Sequence, residues 1–559
     1  MKFNDITEII VFLGLLIFIV PTLGSYMAKV FSGDKMFLSS IEKLIYKFIG
    51  INPEDEMNWK TYAKHFLVFN LAGLIVLTLI LMFQNYLPLN PQGMPGVPFH
   101  LAFNTAVSFV TNTNWQSYSG ESTLSYFSQM LGLTSQNFIS PACGFAVLLV
   151  LIRGLKVRQY DYLGNFYVDM TRSILYILLP LSIIFAIFLV SQGVVQSFSP
   201  YALINVLGGK SQVIPLGPTA SQIAIKQLGS NGGGFFGVNS AHPFENPTPL
   251  SNFFEVFAII LIPASLVYTF GKMLMQKKHS GILFMVMLLF VVAGIILGIL
   301  SEYSYNPILG TKINLEGKET RFGITSSLLW SIITTCVSSG SVNSMMSSLN
   351  PLTTGIAMLN MMTGEIFFGG VGSGLYGMLI YVFITVFIAG LMVGRTPEYL
   401  GKKIEAYDIK MSIIAIISPS AIILIFTALS LVIPPGTDSI MSQGPHGFSE
   451  VLYAFTSAAA NNGSAFAGLN ANTPYYNIML ALGMIIGRYL IIIPVLAIAG
   501  NMAKKNISPI SSGSFRTDNT IFAVLLIGVI IIISALTFLP SLALGPIVEH
   551  IQMLKGVAY

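Results

Sequence analysis

Ten apolar stretches constrain the fold of this 559-residue chain more than any other feature of its sequence. A helix needs about 20 apolar residues to cross the hydrocarbon core of a bilayer. Only 9% of the residues are charged, against about 25% in soluble globular domains. The stretches therefore predict an all-α polytopic membrane protein with ten transmembrane helices. They lie at residues 9–27, 66–83, 127–151, 173–191, 253–274, 282–300, 352–393, 413–433, 478–499 and 521–542.

Composition excludes several other classes of protein. The net charge is only +5 and forms no basic stripe, so we expect no nucleic-acid partner. Cys143 and Cys336 lie among apolar residues and are interpreted as small core residues, not as a disulfide or a metal site. The first stretch follows Lys2 and also fits a signal peptide, but its length favours a transmembrane helix.

The distribution of basic residues predicts which side of the membrane each loop faces. Twenty of the 28 Lys and Arg residues follow the first, third, fifth, seventh and ninth stretches. Two of the opposite loops, residues 84–126 and 434–477, contain none. Because cytoplasmic loops carry the excess of basic residues, we predict a plasma-membrane protein with both termini extracytoplasmic.

The predicted outer loops share one pattern, a half-length apolar segment followed by a turn rich in Gly, Ser, Thr and Asn. The apolar segments are too short to cross a bilayer and occupy residues 101–110, 220–228, 326–336 and 450–460. The turns at 111–114, 230–233, 338–341 and 461–464 have the sequences TNTN, SNGG, SSGS and NNGS. A long helix, a half-helix, a turn and a second long helix therefore form a unit that repeats four times.

The composition of these turns indicates a site for a monovalent cation. Irregular backbone at membrane depth occurs only where it is buried in protein or lines a water-filled cavity. Rings of carbonyl oxygens replace the hydration shell of K⁺, and the negative C-terminal ends of half-helices favour a cation. No carboxylate occurs in any turn, which argues against a divalent ion. The alternative, that each turn merely joins a half-helix to the next helix, fits four turns in register less well.

Longer motifs surround three of the turns. They are TNTNWQSYSGE at residues 111–121, GSNGGGF at 229–235 and NNGSAFAGL at 461–469, and Asn239, Pro243 and the sequence NPTP at 246–249 follow the second. Together they closely resemble the family of potassium-binding A subunits of the Kdp potassium-transporting ATPases. The resemblance covers essentially the whole chain, and the third turn is its loosest match.

The resemblance implies a fold and a set of partners. The fold has four membrane-pore-membrane repeats around a central pore, plus one extra helix at each end. K⁺ binds from outside and passes through a lateral tunnel into a separate P-type ATPase catalytic subunit, accompanied by a single-span C subunit and often a small F peptide. The implied segments are 1–30 for the N-terminal helix, 60–158, 170–278, 280–405 and 410–505 for the repeats, and 518–559 for the C-terminal helix.

The resemblance also implies the residues that bind K⁺. Gln116, just beyond the first turn, is expected to hold the geometry of the site. The implied filter residues are Thr111, Asn112, Thr113, Asn114, Ser230, Asn231, Gly232, Gly233, Ser338, Ser339, Gly340, Ser341, Asn461, Asn462, Gly463 and Ser464.

The stretch at 352–393 is about twice as long as one span requires. It contains FGGVGSGLYG at 368–377, which predicts a break in the helix, and broken helices commonly line transport cavities. A face of small residues for helix packing is the alternative. The resemblance favours a loop beneath the filter, containing Gly369, Gly370 and Gly372, that stops straight passage of ions.

Arg488 follows Gly487 near the middle of the ninth stretch. An arginine at this depth is costly and usually faces a protein interior or water. It is interpreted as a pore-facing cation below the filter, and the resemblance implies that it repels K⁺ from the direct inward path. The alternative is a structural arginine that snorkels or pairs with carbonyls. For Glu255 and Glu365 the sequence indicates buried anchors with no defined place on the ion path.

Other functions are less consistent with the sequence. No phosphate-binding loop with a Gly-Lys-Ser/Thr ending occurs, so we expect no ATP site and no catalytic site in this chain. A self-sufficient K⁺ channel or a Na⁺-coupled K⁺ transporter of the same superfamily remains the main alternative. An intramembrane enzyme would need paired catalytic groups at bilayer depth, and none is apparent.

Overall fold

The computed structural model describes residues 3–34, 36–205, 209–394, 396–507 and 515–557. Within these ranges ten helices are long and apolar enough to cross a membrane, which confirms the predicted fold class. Lys35 and Arg395, counted above among the basic residues, lie outside the described residues. So do the outermost two residues of each of the predicted segments 1–30 and 518–559.

The first two repeats each contain a half-helix between two long helices. The first consists of α3 Trp59–Met82, α4 Phe99–Val110, α5 Gly120–Thr123, a π-helical segment Ser128–Thr134 and α6 Ser135–Lys156. The second consists of α7 Phe166–Arg172, a π-helical segment Ser173–Leu178, α8 Leu179–Ser191, β1 Ala202–Asn205, β2 Ser211–Ile214, α9 Thr219–Leu228 and α10 Pro249–Met273. The π-helical segments continue directly into the α-helices beside them, so that each pair forms one span.

The last two repeats follow the same plan. The third consists of α11 Lys277–Glu302, α12 Gly323–Val337, α13 Pro351–Met362, α14 Ser373–Met392, β3 Glu398–Tyr399 and β4 Lys402–Lys403. The fourth consists of α15 Ala406–Ser430, α16 Pro434–Thr437, α17 Gly444–Ala459 and α18 Pro474–Lys504. The half-helices are α4, α9, α12 and α17, and the last seven residues of each are buried.

The extra helices flank the repeats. They are α1 Phe3–Phe31 at one end of the chain, and α19 Thr520–Leu542, a π-helical segment Ala543–Ile547 and α20 Val548–Leu554 at the other. Glu8 in α1 accepts a hydrogen bond from Ser326 at the start of α12, and Glu549 in α20 lies 2.8 Å from His446 at the start of α17. Both described ends of the chain therefore lie on the face where the half-helices begin, which we call the linker face.

Three local elements were not indicated by hydropathy. The strands β1 and β2 pair antiparallel in the linker before α9, with Ala202 opposite Ile214, and β3 pairs with β4 on the opposite face. Helix α2, Ser39–Ile49, lies between the first two spans. Its Phe48 and Leu44 are exposed, as expected of an amphipathic helix at a membrane surface.

The long apolar stretch at 352–393 is interrupted, as predicted, but the break begins earlier in the sequence. Helix α13 ends at Met362 and α14 begins at Ser373. Gly364 and Gly372 adopt positive φ values of 86° and 85° at the two ends of the break, a conformation that glycine reaches without steric penalty. The last five residues of the predicted interruption form the first turns of α14.

Glycines allow the long helices to approach one another and the fourth half-helix closely. A Cβ atom on Gly154 of α6 would lie 2.4 Å from the Ala499 carbonyl oxygen of α18. A Cβ on Gly487 of α18 would lie 2.0 Å from the Ala459 carbonyl oxygen at the end of α17. Both distances are shorter than a van der Waals contact, so only glycine fits. Helix α18 therefore packs directly against the half-helix of its own repeat and the second long helix of the first.

Candidate cation site

The four half-helices end in the same backbone conformation. Non-glycine residues with positive φ, between 51° and 65°, follow each of them: Asn112, Ser230, Ser338 and Asn461. The next residue in each turn donates its N–H to the carbonyl five residues earlier, from Thr113 to Ser108, from Asn231 to Lys226, from Ser339 to Thr334 and from Asn462 to Ser457. This bond closes a Schellman-type end. Each half-helix thus stops abruptly with its C-terminal end at the turn.

This shared conformation fixes how the turns correspond. The third residue of the aligned turns is Asn114, Gly232, Gly340 and Gly463. The four-letter motifs align Thr111 with Ser230, but the backbone aligns Asn112 with Ser230. The first turn is therefore shifted by one residue relative to its motif. Thr111 corresponds to Gly229, at the end of the half-helix, and its hydroxyl donates to the Val107 carbonyl. The implied filter residue Thr111 thus lies one position before the irregular backbone.

The four turns contact one another in a closed ring. Each contact joins neighbouring turns in chain order, and the last joins the fourth turn to the first. The contacts are Asn112 Nδ2 to the Ser230 carbonyl at 3.1 Å, Ser339 Oγ to the Asn231 carbonyl at 3.2 Å, Ser338 Oγ to the Ala460 carbonyl at 2.6 Å, and Asn461 Nδ2 to Thr113 Oγ1 at 2.9 Å. All sixteen implied filter residues lie in this ring, and all but Gly463 are buried.

Glycines in three of the turns lie against carbonyl oxygens of their neighbours. A Cβ on Gly463 would lie 2.1 Å from the Thr113 oxygen, and a Cβ on Gly340 would lie 2.0 Å from the Asn462 oxygen. A Cβ on Gly232 would lie 2.6 Å from the Ser339 oxygen and 3.0 Å from the Asn462 oxygen. Because the Asn462 oxygen belongs to the turn diagonally opposite, a methyl group on Gly232 would project into the centre of the ring.

An open cavity of about 540 Å³ lies on the linker side of the ring. Its walls include the third residue of every aligned turn: Asn114, Gly232, Gly340 and Gly463. The cavity reaches all four turns at once, so water and a hydrated ion have direct access to the ring. We call it the vestibule.

The broken helix lies on the other side of the ring. A Cβ on Gly370 would lie 3.7 Å from the Val337 oxygen and 3.9 Å from Asn112 Nδ2, which puts the loop between α13 and α14 directly beneath two of the turns. A Cβ on Gly372 would lie 2.1 Å from the Gly144 oxygen of α6. Gly369 is equally confined, because its Cβ would collide with the Glu365 oxygen. The loop is therefore tightly packed below the ring.

A very small chamber remains between this loop and α18. Its volume is about 10 Å³, and Asn461, Glu365 and Arg488 line it. This volume is near the minimum that holds one water molecule. Arg488 thus lies immediately beneath a turn, as a cation facing the chamber. Glu365, for which the sequence indicated no place on the ion path, faces the same chamber.

Side chains behind the turns hold the backbone in place. Gln116 donates to the Gly234 carbonyl and accepts from the Gly234 N–H, both at 3.0 Å, which joins the first two repeats. Trp330 Nε1 donates to the Ser341 carbonyl at 2.7 Å. Tyr453 OH lies 2.7 Å from Ser464 Oγ. Each of the last two side chains lies on the half-helix of its own repeat.

Several supporting residues carry no motif that reveals them. Asn137 of α6 accepts from Asn114 Nδ2 through its side chain at 2.7 Å and from Asn231 Nδ2 through its backbone carbonyl at 3.0 Å. Ser140, one turn later, donates to Asn112 Oδ1 at 2.6 Å. The only available signal was the presence of polar residues in an apolar span, which does not identify the groups they contact.

The vestibule wall also contains a titratable group. His242 stacks on Phe236 with ring centroids 3.8 Å apart. Burial lowers the pKa of His242, the nearby Arg321 lowers it further, and the carboxylates of Glu245 and Glu319 raise it. Because the net shift is downward from about 6.5, the imidazole is neutral at pH 7 and adds no positive charge to the vestibule.

Sequence comparison identifies close relatives of the chain. The family model described as "KdpA: Potassium-transporting ATPase A subunit" matches residues 10–551. A protein of Leptospira interrogans named potassium-transporting ATPase potassium-binding subunit is 54% identical over 554 residues, 99% of each chain. A protein of the same name from Pseudomonas aeruginosa is 52% identical over 562 residues, 99% of this chain and 100% of the relative.

Structural comparison gives a more distant likeness. The potassium transporter TrkH from Vibrio parahaemolyticus aligns with a TM-score of 0.53, covering 88% of this chain and 97% of TrkH. The sequences are only 13% identical, so the likeness concerns the fold alone.

Proposed function

The chain belongs to the family of potassium-transporting ATPase A subunits, and we propose that it binds K⁺ within the ring of four turns and delivers it to a separate P-type ATPase catalytic subunit. One observation carries the proposal above all others. A Cβ on Gly232 would lie within 3.0 Å of carbonyl oxygens from both the adjacent and the diagonally opposite turn. Such a narrow, oxygen-lined axis suits a dehydrated monovalent cation.

Selectivity in this proposal comes from the backbone. Carbonyl oxygens of the four turns replace the hydration shell of K⁺. The half-helices aim the negative ends of their dipoles at the same point, which favours a cation without a buried carboxylate. The ring of hydrogen bonds between turns limits how far the oxygens can move toward a smaller ion. The sixteen implied residues hold the ion, and Gln116 supports the first two turns.

The ion enters from the vestibule and meets a barrier below the ring. The packed loop with Gly369, Gly370 and Gly372 fills the direct path, and the Arg488 guanidinium repels an ion that passes the turns. A second cavity, of about 30 Å³, shares Gly364 and Glu365 with the chamber and extends to α15 and α19. This direction supports a lateral exit toward a partner subunit.

The orientation follows from the charges of the loops. Basic residues concentrate on the face opposite the linker face, so the vestibule and both chain ends face the outside of the plasma membrane. The energy for uptake comes from ATP hydrolysis by the P-type ATPase subunit, and this chain contributes no catalytic residue. A single-span C subunit and a small F peptide complete the complex.

The test compares the whole complex with the chain alone. The complex reconstituted in liposomes should hydrolyse ATP in response to external K⁺ and accumulate K⁺, with little response to Na⁺. The chain without its ATPase subunit should not carry K⁺ across the membrane. Sustained K⁺ flux through the chain alone would contradict the proposal and favour a channel or a Na⁺-coupled transporter.

A further inference from the structure

The second half-helix contains a lysine where the other three repeats have hydroxyl residues. Lys226 lies four residues before the positive-φ residue Ser230, and the corresponding positions are Ser108, Thr334 and Ser457. Both Lys226 and its ion-pair partner Glu245, 2.9 Å away, have fully buried side chains. A buried charge is stable only when it is paired and fully hydrogen-bonded. The function of this charge therefore requires an explanation beyond packing.

All three donors of the Lys226 ammonium group are used. They reach Asn239 Oδ1 at 2.6 Å, Ser240 Oγ at 2.9 Å and Glu245 Oε2 at 2.9 Å. Glu245 in turn accepts from the Phe236 N–H at 2.8 Å through its other oxygen. The group is thus held in one position by a complete set of partners.

The ammonium group determines the orientation of the Asn239 side-chain amide. An ammonium group only donates hydrogen bonds, so the amide oxygen must face Lys226. The Ser240 N–H also donates to this oxygen, at 3.0 Å. The amide nitrogen consequently faces the other way, where it donates to the Gly232 carbonyl at 2.6 Å.

A Cβ on Gly232 would lie within 3.0 Å of carbonyl oxygens from both the adjacent and the diagonally opposite turn, so Gly232 faces the interior of the ring. The direction of its carbonyl therefore affects both the width of the axis and the number of oxygens available to an ion. We infer that Lys226 is a positioning residue for ion selectivity, which fixes the Asn239 amide and, through it, the Gly232 carbonyl. This inference rests on the proposed binding of K⁺ within the ring.

Loss of the ammonium group has a defined consequence. The Asn239 amide oxygen then keeps the Ser240 N–H, at 3.0 Å, as its nearest donor, so the amide is held less firmly against the Gly232 carbonyl. The Gly232 peptide moves more freely, and the site accepts ions of other sizes. The expected signature is a change in discrimination between ions, which a general loss of stability does not produce.

Two variants test the inference in the complete complex with its ATPase subunit. The double variant Lys226→Met/Glu245→Gln removes both charges without leaving one unpaired. Asn239→Leu leaves the ion pair intact and removes only the amide. ATP hydrolysis is measured against K⁺, Rb⁺ and Na⁺ concentration. In both variants we expect the half-activating K⁺ concentration to rise about tenfold, the scale of one lost hydrogen bond, and the ratio of the K⁺ response to the Rb⁺ and Na⁺ responses to fall, with a smaller change in maximal rate.

A matched control uses a second lysine pair that is fully buried among the residues the structure describes. Lys318 and Glu302 lie 3.3 Å apart with no exposed side-chain area, and Lys318, a residue of the vestibule wall, donates to the Ser348 carbonyl, which belongs to none of the four turns. Lys318→Met/Glu302→Gln should retain the wild-type order and ratio of ion responses. If the Lys226 double variant fails to assemble, Asn239→Leu decides the question alone.

The outcomes separate the inference from the proposed function. An assembled Asn239→Leu complex with wild-type discrimination between K⁺, Rb⁺ and Na⁺ overturns the inference. Equal changes in the control and in the Lys226 double variant also overturn it. A wild-type complex that does not respond to K⁺ instead overturns the proposed function, because the inference concerns only how the response is tuned.

Discussion

The two sides of the ring of turns differ sharply in the space they offer an ion. The vestibule on the linker side has a volume of about 540 Å³ and reaches all four turns. The chamber on the other side has a volume of about 10 Å³ and contains the Arg488 guanidinium. A channel needs comparable access on both sides of its filter. The asymmetry therefore fits the proposed one-sided binding site, with a lateral exit for the ion, better than it fits a channel.

The largest change in K⁺ affinity is expected from a methyl group that blocks the axis of the ring. In Gly232→Ala, the added methyl group lies 2.6 Å from the Ser339 oxygen and occupies the axis. The half-activating K⁺ concentration for ATP hydrolysis should rise on the order of 100-fold, the upper range for overpacking a tight site. Gly528→Ala is the control, because its Cβ would have no neighbour within 4 Å. Wild-type K⁺ activation in Gly232→Ala would show that K⁺ does not bind within the ring.

The second prediction weakens the barrier below the ring. Arg488→Gln removes the positive charge from the chamber, so passive K⁺ flux through the reconstituted complex should rise about tenfold, for roughly 1.4 kcal/mol of lost repulsion. Uptake per ATP hydrolysed should fall accordingly. Arg516→Gln, at an exposed arginine paired with Asp518, should change neither quantity. Unchanged flux and coupling in Arg488→Gln would show that the guanidinium is structural.

The third prediction loosens the contact between the first two turns. Gln116→Leu removes both hydrogen bonds to Gly234, and K⁺ affinity should fall about fivefold, equivalent to about 1 kcal/mol, or half of what two net hydrogen bonds contribute. Gln196→Leu provides the comparison, because Gln196 bonds to Ser221 at the exposed surface of the linker. Equal affinities of the two variants would contradict a supporting role for Gln116.

The smallest effect concerns the charge of the vestibule. Burial lowers the pKa of His242, so the imidazole becomes positive only when the pH falls below its ordinary value of about 6.5. K⁺ affinity should then decrease about twofold at acidic pH by repulsion across the vestibule. His242→Gln should remove this component of the pH profile. A profile identical in wild type and variant would exclude His242 as its source.

The sequence predicted the spans and the repeats well, because both depend on apolar length. The π-helical segments were not predicted, because they continue an apolar run without interrupting it. Helix α2 was not predicted, because it lies between two apolar stretches and is too short to cross a bilayer. The break after Met362 began earlier than the glycine cluster indicated. Its first positive-φ residues are Gly364 and Glu365, and a carboxylate at such a position gives no signal of a break.

The site was less accessible to sequence analysis than the fold. The four turns were recognisable from their composition. Which residues of the turns are equivalent became clear only from the backbone conformation, which aligns Asn112 with Ser230. Asn137 of α6 contacts two of the turns, and Lys226 of the second half-helix contacts Asn239 beyond its own turn. Contacts between residues far apart in the chain have no signature in a single sequence. The closeness of Gly232 to the Asn462 oxygen likewise depends on the packing of two separate repeats.

Anomalous diffraction from crystals of the complete complex grown in Rb⁺ tests the central claim most directly. Rb⁺ replaces K⁺ in carbonyl sites and scatters anomalously, so its position is observed without any assumption about function. The account predicts a peak on the axis of the ring, among the carbonyl oxygens of Thr113, Asn231, Ser339 and Asn462, which disappears when excess K⁺ replaces Rb⁺. An empty ring with the peak elsewhere in the chain would contradict it.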